Sequence, residues 1–235
     1  MKKYSRELRR AALLGAALAA VLSMRAKAQA PAAVSGQVTI LERPGETTED
    51  LGNVVVFLEP IGAAARHKPA TPSNSVINLQ SRQFRPRVTV VMEGSTVAFP
   101  NLDPFSHNVF SKTNGGFDTG VYGRGKTRDN VFQTAGVYSL YCNVHPRMAA
   151  YVVALQTPFF VQAGLDGRFT LENVPPGRYR LHAWHDRTSE VTRELVVPAS
   201  GAASVRVELD ARGYKYVQHK NKFGQDYTSA SGDRY

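Results

Sequence analysis

The sequence predicts an all-β protein, and three observations carry that prediction. Short apolar or alternating runs recur from residue 34 onward, turn residues separate them, and no long segment has a helical period. Residues 34–40 (VSGQVTI) alternate as a half-buried strand does, and residues 53–58 (NVVVFL) are a β-branched run typical of a buried strand. The polar residues 43–52 between them contain Pro-Gly and indicate a loop.

The middle of the chain shows the same pattern of short predicted strands separated by turns. Strands are predicted at residues 76–79, 87–92, 95–99, 131–141 and 149–155, the fourth range being two strands joined by a turn. Residues 112–130 are polar and rich in glycine, and we expect them to be flexible.

The last third repeats the pattern of turns and strands. Asp-Gly and Pro-Pro-Gly turns precede predicted strands at residues 168–171, 178–184, 190–197 and 203–209. Residues 210–235 are polar with few aliphatic side chains, and indicate a tail that either is disordered or lies along a surface.

The N-terminus predicts export. Residues 1–30 have a basic start, an apolar run and small residues at a cleavage site near 28–30, so we expect a periplasmic or secreted protein. Arg9-Arg10 leaves twin-arginine export open beside the ordinary secretory route. Of the 29 basic and 19 acidic residues, seven and one fall in this segment, which leaves 22 basic and 18 acidic, a net charge of +4. That mild charge gives no case for nucleic-acid binding, and we expect no membrane-spanning segment in the mature chain.

The chemistry is concentrated in residues 141–148, which read YCNVHPRM. Cys142 is the only cysteine, and His145 and Met148 follow it at intervals of three. Thiolate, imidazole and thioether are the ligands that suit copper, and His107, which follows a turn upstream, is the candidate fourth ligand. The sequence therefore indicates one copper site; the alternative for Cys142 is an ordinary buried core residue.

Residues 76–156 resemble the plastocyanin-like cupredoxins. The resemblance is carried by Phe84-Arg85-Pro86, residues 94–99, Asn101-Leu102-Asp103, His107-Asn108-Val109, residues 135–138 and the CNVHPRM run, whose short spacing is like that of amicyanin. It implies a Greek-key sandwich with a type 1 (blue) copper ion. Cys142 would be the thiolate, His107 and His145 the equatorial imidazoles and Met148 the weak axial ligand, and Asn108 would hydrogen-bond to the cysteine loop.

The flanking residues carry a second resemblance. DGRF at residues 166–169 and VPPGRYRL at residues 174–181 are similar to the carboxypeptidase regulatory-like domain, a transthyretin-like β-sandwich. Together with residues 54–60 and 181–185, the whole looks like the exported "methylamine utilization protein" cupredoxins. We expect a transthyretin/Ig-like sandwich made from residues 31–65 and 157–209, a linker at 66–75, and the cupredoxin at 76–156 inserted between the two parts. A tandem arrangement is the alternative.

The expected function is one-electron transfer between redox partners. A partner protein would dock near His145, where Arg147 favours an acidic partner, and we expect a monomer without enzymatic activity. The alternatives are a periplasmic copper carrier and a non-catalytic envelope binding module. His182 and His185 lie three apart on a predicted strand and so on opposite faces, which argues against a shared metal; His67 and His219 receive no role.

Overall fold

The structure, a computed structural model, describes residues 32–62, 71–198 and 203–227. The predicted signal segment at residues 1–30 and His67 therefore lie outside the described residues. Among those that are described, no helix has the length and apolar character needed to cross a membrane.

The all-β prediction is confirmed. The described residues form seventeen strands and one 3-10 helix, Leu51–Asn53. The strands are β1 (Ala32–Leu41), β2 (Val55–Ile61), β3 (Asn74–Val76), β4 (Asn78–Gln80), β5 (Gln83–Arg85), β6 (Val88–Met92), β7 (Ser95–Pro100), β8 (His107–Ser111), β9 (Phe117–Tyr122), β10 (Thr127–Phe132), β11 (Gly136–Tyr141), β12 (Ala149–Leu155), β13 (Phe160–Gln162), β14 (Arg168–Val174), β15 (Gly177–Trp184), β16 (Val191–Val197) and β17 (Ala203–Asp210).

Strands from the two ends of the chain pair with each other. One sheet has the order β14-β1-β17 and a second has the order β13-β2-β15-β16. β1 runs antiparallel to β14 and parallel to β17, and β2 runs antiparallel to both β13 and β15. The strands before residue 62 thus lie in the same two sheets as strands that follow residue 159.

The central strands form two further sheets and a small hairpin. The larger sheet has the order β6-β12-β11-β8-β9, the smaller has the order β10-β7-β3, and β4 pairs with β5. The core of this part contains Phe99, Val109, Phe132, Leu140 and Val152, all nearly or fully buried. The same cluster includes Cys142 and Met148, so two of the candidate ligands belong to a packed core.

Strand β2 contributes to two cores. In β2, Val56 and Leu58 belong to the core of the flanking sheets, whereas Val55 and Phe57 belong to a third cluster with Val153 and Leu155 of β12. Since side chains alternate between the faces of a strand, a strand covered on both sides needs apolar residues at every position. This explains why residues 54–58 are all apolar, and the shared cluster joins the central and flanking sheets.

The region at residues 112–130, expected to be flexible, contains two strands instead. β9 pairs with β8 and β10 pairs with β7 over most of their lengths. Both strands are largely exposed or half-buried, so their polar composition reflects the solvent-facing side of a sandwich. β3 likewise begins at Asn74, inside the predicted linker, where it adds three mostly exposed residues to the edge of β7.

Candidate metal centre

The topology brings the two sequence-distant parts of the predicted site together. His107 is the first residue of β8, and Cys142 follows directly on the last residue of β11. These two strands are neighbours in the larger sheet, with Tyr141 opposite Phe110. The loop from Cys142 to Met148 connects β11 to β12 at the same end of the sandwich, so His107 faces the loop from the adjacent strand.

Three ligand atoms converge. The Cys142 Sγ lies 3.8 Å from the His107 Nδ1 and 3.8 Å from the His145 Nδ1, and the two nitrogens are 3.1 Å apart. Cys142 and His107 are fully buried, and His145 is 8% exposed. Of the four residues predicted as ligands, the structure therefore groups these three around one point.

The spacing fits a metal ion. With bonds of about 2.0 Å to nitrogen and about 2.3 Å to sulfur, as zinc has in proteins, a trigonal set holds nitrogen and sulfur about 3.7 Å apart. Both observed nitrogen–sulfur distances, 3.8 Å, agree with that value. The observed distance between the two nitrogens, 3.1 Å, is shorter than the about 3.5 Å that the same trigonal geometry gives. Two imidazoles with a thiolate are the donors that favour copper, so the residues present fit the ion that the sequence indicates.

The fourth predicted ligand closes the loop. Met148 is 1% exposed, its N–H donates to the His145 carbonyl over 3.1 Å, and its own carbonyl accepts from the Cys142 N–H over 3.3 Å. The Val144 N–H also points to the Cys142 Sγ, at 3.4 Å. These hydrogen bonds fix the loop from Cys142 to Met148, and the Met148 side chain is buried.

Asp103 lies behind His107 and was missed by the sequence reasoning. Its Oδ2 accepts from the His107 Nε2 at 2.8 Å, and its two oxygens also accept the Ser81 and Arg82 N–H groups at 2.7 and 2.9 Å. A proton on Nε2 leaves the lone pair on Nδ1, the atom that faces Cys142. Carboxylate support of this kind orients a metal-binding histidine and fixes its tautomer. The available signal was an acid four residues before the predicted ligand.

Burial controls the protonation of the site. It lowers the pKa of His107 despite the bond to Asp103, and burial together with His107 and Arg82 lowers the pKa of His145 to about 4. Burial also raises the pKa of the Cys142 thiol. At neutral pH both imidazoles are therefore neutral and ready to bind, whereas a metal that binds must displace the thiol proton.

Asn108 hydrogen-bonds to the loop that contains Cys142, the contact that the resemblance implies. Its side-chain oxygen accepts from the Asn143 N–H at 3.1 Å, and its amide nitrogen donates to Asp118 and to the Gly120 carbonyl. Asn108 thus ties the residue after Cys142 to the neighbouring strand β9. Phe105, which was not among the predicted site residues, has its ring centre 5.3 Å from the ring centres of both His107 and His145.

A second group of possible ligand atoms comprises Asp50, His185 and Asp186. Arg187 already bonds both oxygens of Asp50, at 2.7 and 3.0 Å, and its N–H points to the His185 Nδ1 at 3.3 Å. Burial keeps this ring neutral, so with Nδ1 as an acceptor its proton is on Nε2. No lone pair then remains on Nε2 for a metal, and we interpret the group as a network of ion pairs that includes Glu42.

Two further histidines, His182 and His219, lie outside this network. His182 pairs with Glu59 and Glu190 and stacks on Phe57, with ring centres 4.4 Å apart, so His182 and His185 have different partners, in keeping with opposite faces. His219 stacks on Tyr141, directly before the candidate thiolate. Nothing in the polar sequence around His219 indicated this contact.

No protein-family model matches the chain, and no curated protein matches its sequence. Solved structures similar to it include a purple cupredoxin from Nitrosopumilus maritimus, at 26% identity and a TM-score of 0.32, covering 34% of this chain and 99% of that one. Amicyanin from Paracoccus versutus is 23% identical with a TM-score of 0.33, covering 42% and 97%. A copper-containing nitrite reductase from Thermus scotoductus SA-01 is 20% identical with a TM-score of 0.34, covering 51% and 28%. These likenesses cover about half of the chain or less.

Proposed function

We propose that this protein is an exported type 1 copper protein that carries one electron at a time between redox partners. The observation that carries the proposal is the convergence of the buried His107 Nδ1, His145 Nδ1 and Cys142 Sγ within 3.1–3.8 Å of one another. Met148, in the same loop, would be the axial ligand. Copper held by these residues would supply a Cu(II)/Cu(I) couple.

The surroundings of the ligands support electron transfer. Asp103 fixes His107, Asn108 fixes the Asn143 backbone, and backbone bonds close the loop from Cys142 to Met148. Ligands held by their surroundings keep similar positions in both oxidation states. A small change in geometry keeps the barrier to electron transfer low, which is what a carrier needs.

We place the docking site of the redox partner around His145. His145 is the least buried of the three converging ligands, and the half-buried Phe105 and Pro146 lie beside it in space or in sequence. Arg147 is exposed, and the Arg82 guanidinium lies 5.0 Å from the centre of the Phe105 ring. A small apolar patch with two arginines suits transient docking of an acidic partner onto a monomer.

The predicted signal segment supports a periplasmic or secreted location.

The competing function is that of a copper carrier, which delivers the ion itself. Direct transfer of copper to another protein requires access to the ligands. Complete burial of Cys142 and His107 favours electron transfer over ion transfer. For the same reason we propose a carrier without enzymatic activity, since substrates also need access to the metal.

The test is reconstitution of the exported protein with Cu(II). We expect an intense visible band from thiolate-to-copper charge transfer and a reversible one-electron couple. Cys142→Ser should abolish the band and His107→Gln should weaken copper binding, whereas His182→Gln, which removes a buried histidine outside the site, should keep both. Survival of the band in Cys142→Ser would show that the thiolate assignment is wrong.

A second measurement separates the electron carrier from the copper carrier. The electron self-exchange rate of the loaded protein is compared with the rate at which a Cu(I) chelator removes the metal. Fast exchange with slow release supports electron transfer, and the reverse result supports copper delivery.

A further inference from the structure

The chain after β17 crosses from the flanking sheets to the metal centre. We call residues 211–227 the C-terminal strap; they contain no strand. At its start, the Ala211 N–H donates to the Leu41 carbonyl at 3.0 Å, and Arg43 donates to the carbonyls of Arg212 and Tyr214. The strap is therefore anchored beside β1 before it leaves the flanking sheets.

Further along, the strap bonds to the carbonyl of Cys142 and to the side chain of the next residue, Asn143. The Tyr227 hydroxyl donates to the Cys142 carbonyl at 2.7 Å. The Lys222 N–H donates to the Asn143 Oδ1 at 2.9 Å, and its Nζ pairs with Asp118 at 2.6 Å. Because Cys142 is fully buried, its carbonyl needs a partner within the protein, and Tyr227 supplies it.

An aromatic contact covers the residue before the thiolate. The His219 ring stacks on Tyr141 with centres 4.3 Å apart and an angle of 23° between the planes. Tyr227 meets His219 edge-on at 5.4 Å, and Phe110 of β8 lies 6.4 Å from the same ring. His219 thus packs against β8, which begins with His107, and against β11, which ends directly before Cys142.

These contacts form one network with groups already described at the site. Asp118 accepts from Asn108 as well as from Lys222, and Asn143 donates its N–H to Asn108 while its side chain accepts from Lys222. Surface packing alone would not match specific donors of the strap to the Cys142 carbonyl, the Asn143 side chain and the Asp118 carboxylate.

We propose that the C-terminal strap is a positioning element of the metal centre, in which Tyr227 and Lys222 hold the Cys142–Asn143 backbone and His219 holds Tyr141. The strap is the third support of the loop, beside its own backbone bonds and Asn108. Only the second readout below rests on the proposed copper function, since the first is made on metal-free protein.

The first readout is amide hydrogen exchange of the metal-free, full-length protein over residues 141–148. Tyr227→Phe removes the hydroxyl and keeps the ring, so loop amides should exchange about fivefold faster, as loss of one hydrogen bond predicts. Tyr216→Phe removes the same group from a strap tyrosine that is 64% exposed, and should leave loop exchange unchanged. His219→Ala should accelerate exchange at residues 141–143, with Val217→Ala, at a strap position that is 81% exposed, as its control.

The second readout is the visible band and the rate of copper release of the copper-loaded protein. We expect Tyr227→Phe to shift the visible band and to speed copper release to a chelator several-fold, with no change in Tyr216→Phe. Unchanged loop exchange in both Tyr227→Phe and His219→Ala would overturn the strap proposal even if the protein binds copper as expected. Faster loop exchange in a protein that binds no copper would support the strap and reject the proposed function.

Discussion

Replacement of Asp103 by asparagine should weaken the metal centre and also destabilise the metal-free fold. The Asp103 carboxylate, with 8% of its side chain exposed, accepts three hydrogen bonds, from His107 and from the N–H groups of Ser81 and Arg82. Burial alone would raise the pKa of Asp103, but these donors hold it below its ordinary value. The carboxylate is therefore ionised, and all three donors act on a negative charge.

An asparagine side chain offers one oxygen where the aspartate offers two. If its oxygen keeps the bonds to Arg82 and His107, its NH₂ group faces the Ser81 N–H, and two donors oppose each other. A hydrogen bond to a charged group contributes about 1.5–3 kcal/mol, so Asp103→Asn should lower the unfolding free energy by at least about 2 kcal/mol. Loss of the charge behind a histidine ligand lowers metal affinity by about 10–100-fold.

Two assays measure these effects, with Asp129→Asn as the control because Asp129 is an exposed acid on β10. Denaturant unfolding of the metal-free protein gives the stability, and competition with a chelator gives the copper affinity. If Asp103→Asn binds copper as tightly as the unmodified protein, the carboxylate does not orient His107. If affinity falls but stability does not, Ser81 and Arg82 have found other partners.

The remaining predictions concern the axial ligand, the contact between sheets and a buried charge. Met148→Leu should keep copper bound and raise its reduction potential, measured by voltammetry, because a donor to Cu(II) is lost; an unchanged potential would mean that Met148 is not axial. Phe57→Ala should cost about 3–5 kcal/mol in a denaturant titration, since the ring lies in the cluster shared by the central and flanking sheets. Burial alone would lower the pKa of His182, but Glu190 and Glu59 hold it above 6.5. The stabilisation it contributes is therefore full below pH 6.5 and lost as the pH rises through the raised pKa. Glu190→Gln should destabilise the protein at low pH and converge with the unmodified protein at high pH, and a difference that grows with pH would contradict this sign.

The sequence predicted those features that local pattern encodes. The run at residues 53–58 identified a buried strand because β2 is covered on both faces. The Cys142, His145 and Met148 spacing identified the ligand loop because a short loop between paired strands keeps nearby residues together. His107 followed from the kind of ligand still needed, and the structure places its Nδ1 3.8 Å from the thiol sulfur.

Features that depend on distant contacts were not predictable in this way. Asp103 sits in what reads as an ordinary turn, and its role appears only when the backbone of Ser81 and Arg82 lies beside it. β9 and β10 were missed because their exposed positions are polar and give a weak alternation. His219 lies in a polar segment without strand or helix period and 78 positions after Tyr141 (219 − 141), so no local pattern could indicate the contact.

The flanking sheets reach the metal centre by two physical routes. β12 begins at Ala149, directly after Met148, and its residues Val153 and Leu155 pack against Val55 and Phe57 of β2. The C-terminal strap leaves β17 and ends at the Cys142 carbonyl. One route fixes the strand that follows the last candidate ligand, and the other fixes the backbone of the first residue in the same loop. The flanking sheets are therefore connected to both ends of the loop that carries the candidate ligands Cys142, His145 and Met148, because β2 packs against the strand that follows the loop and the strap bonds to its first residue.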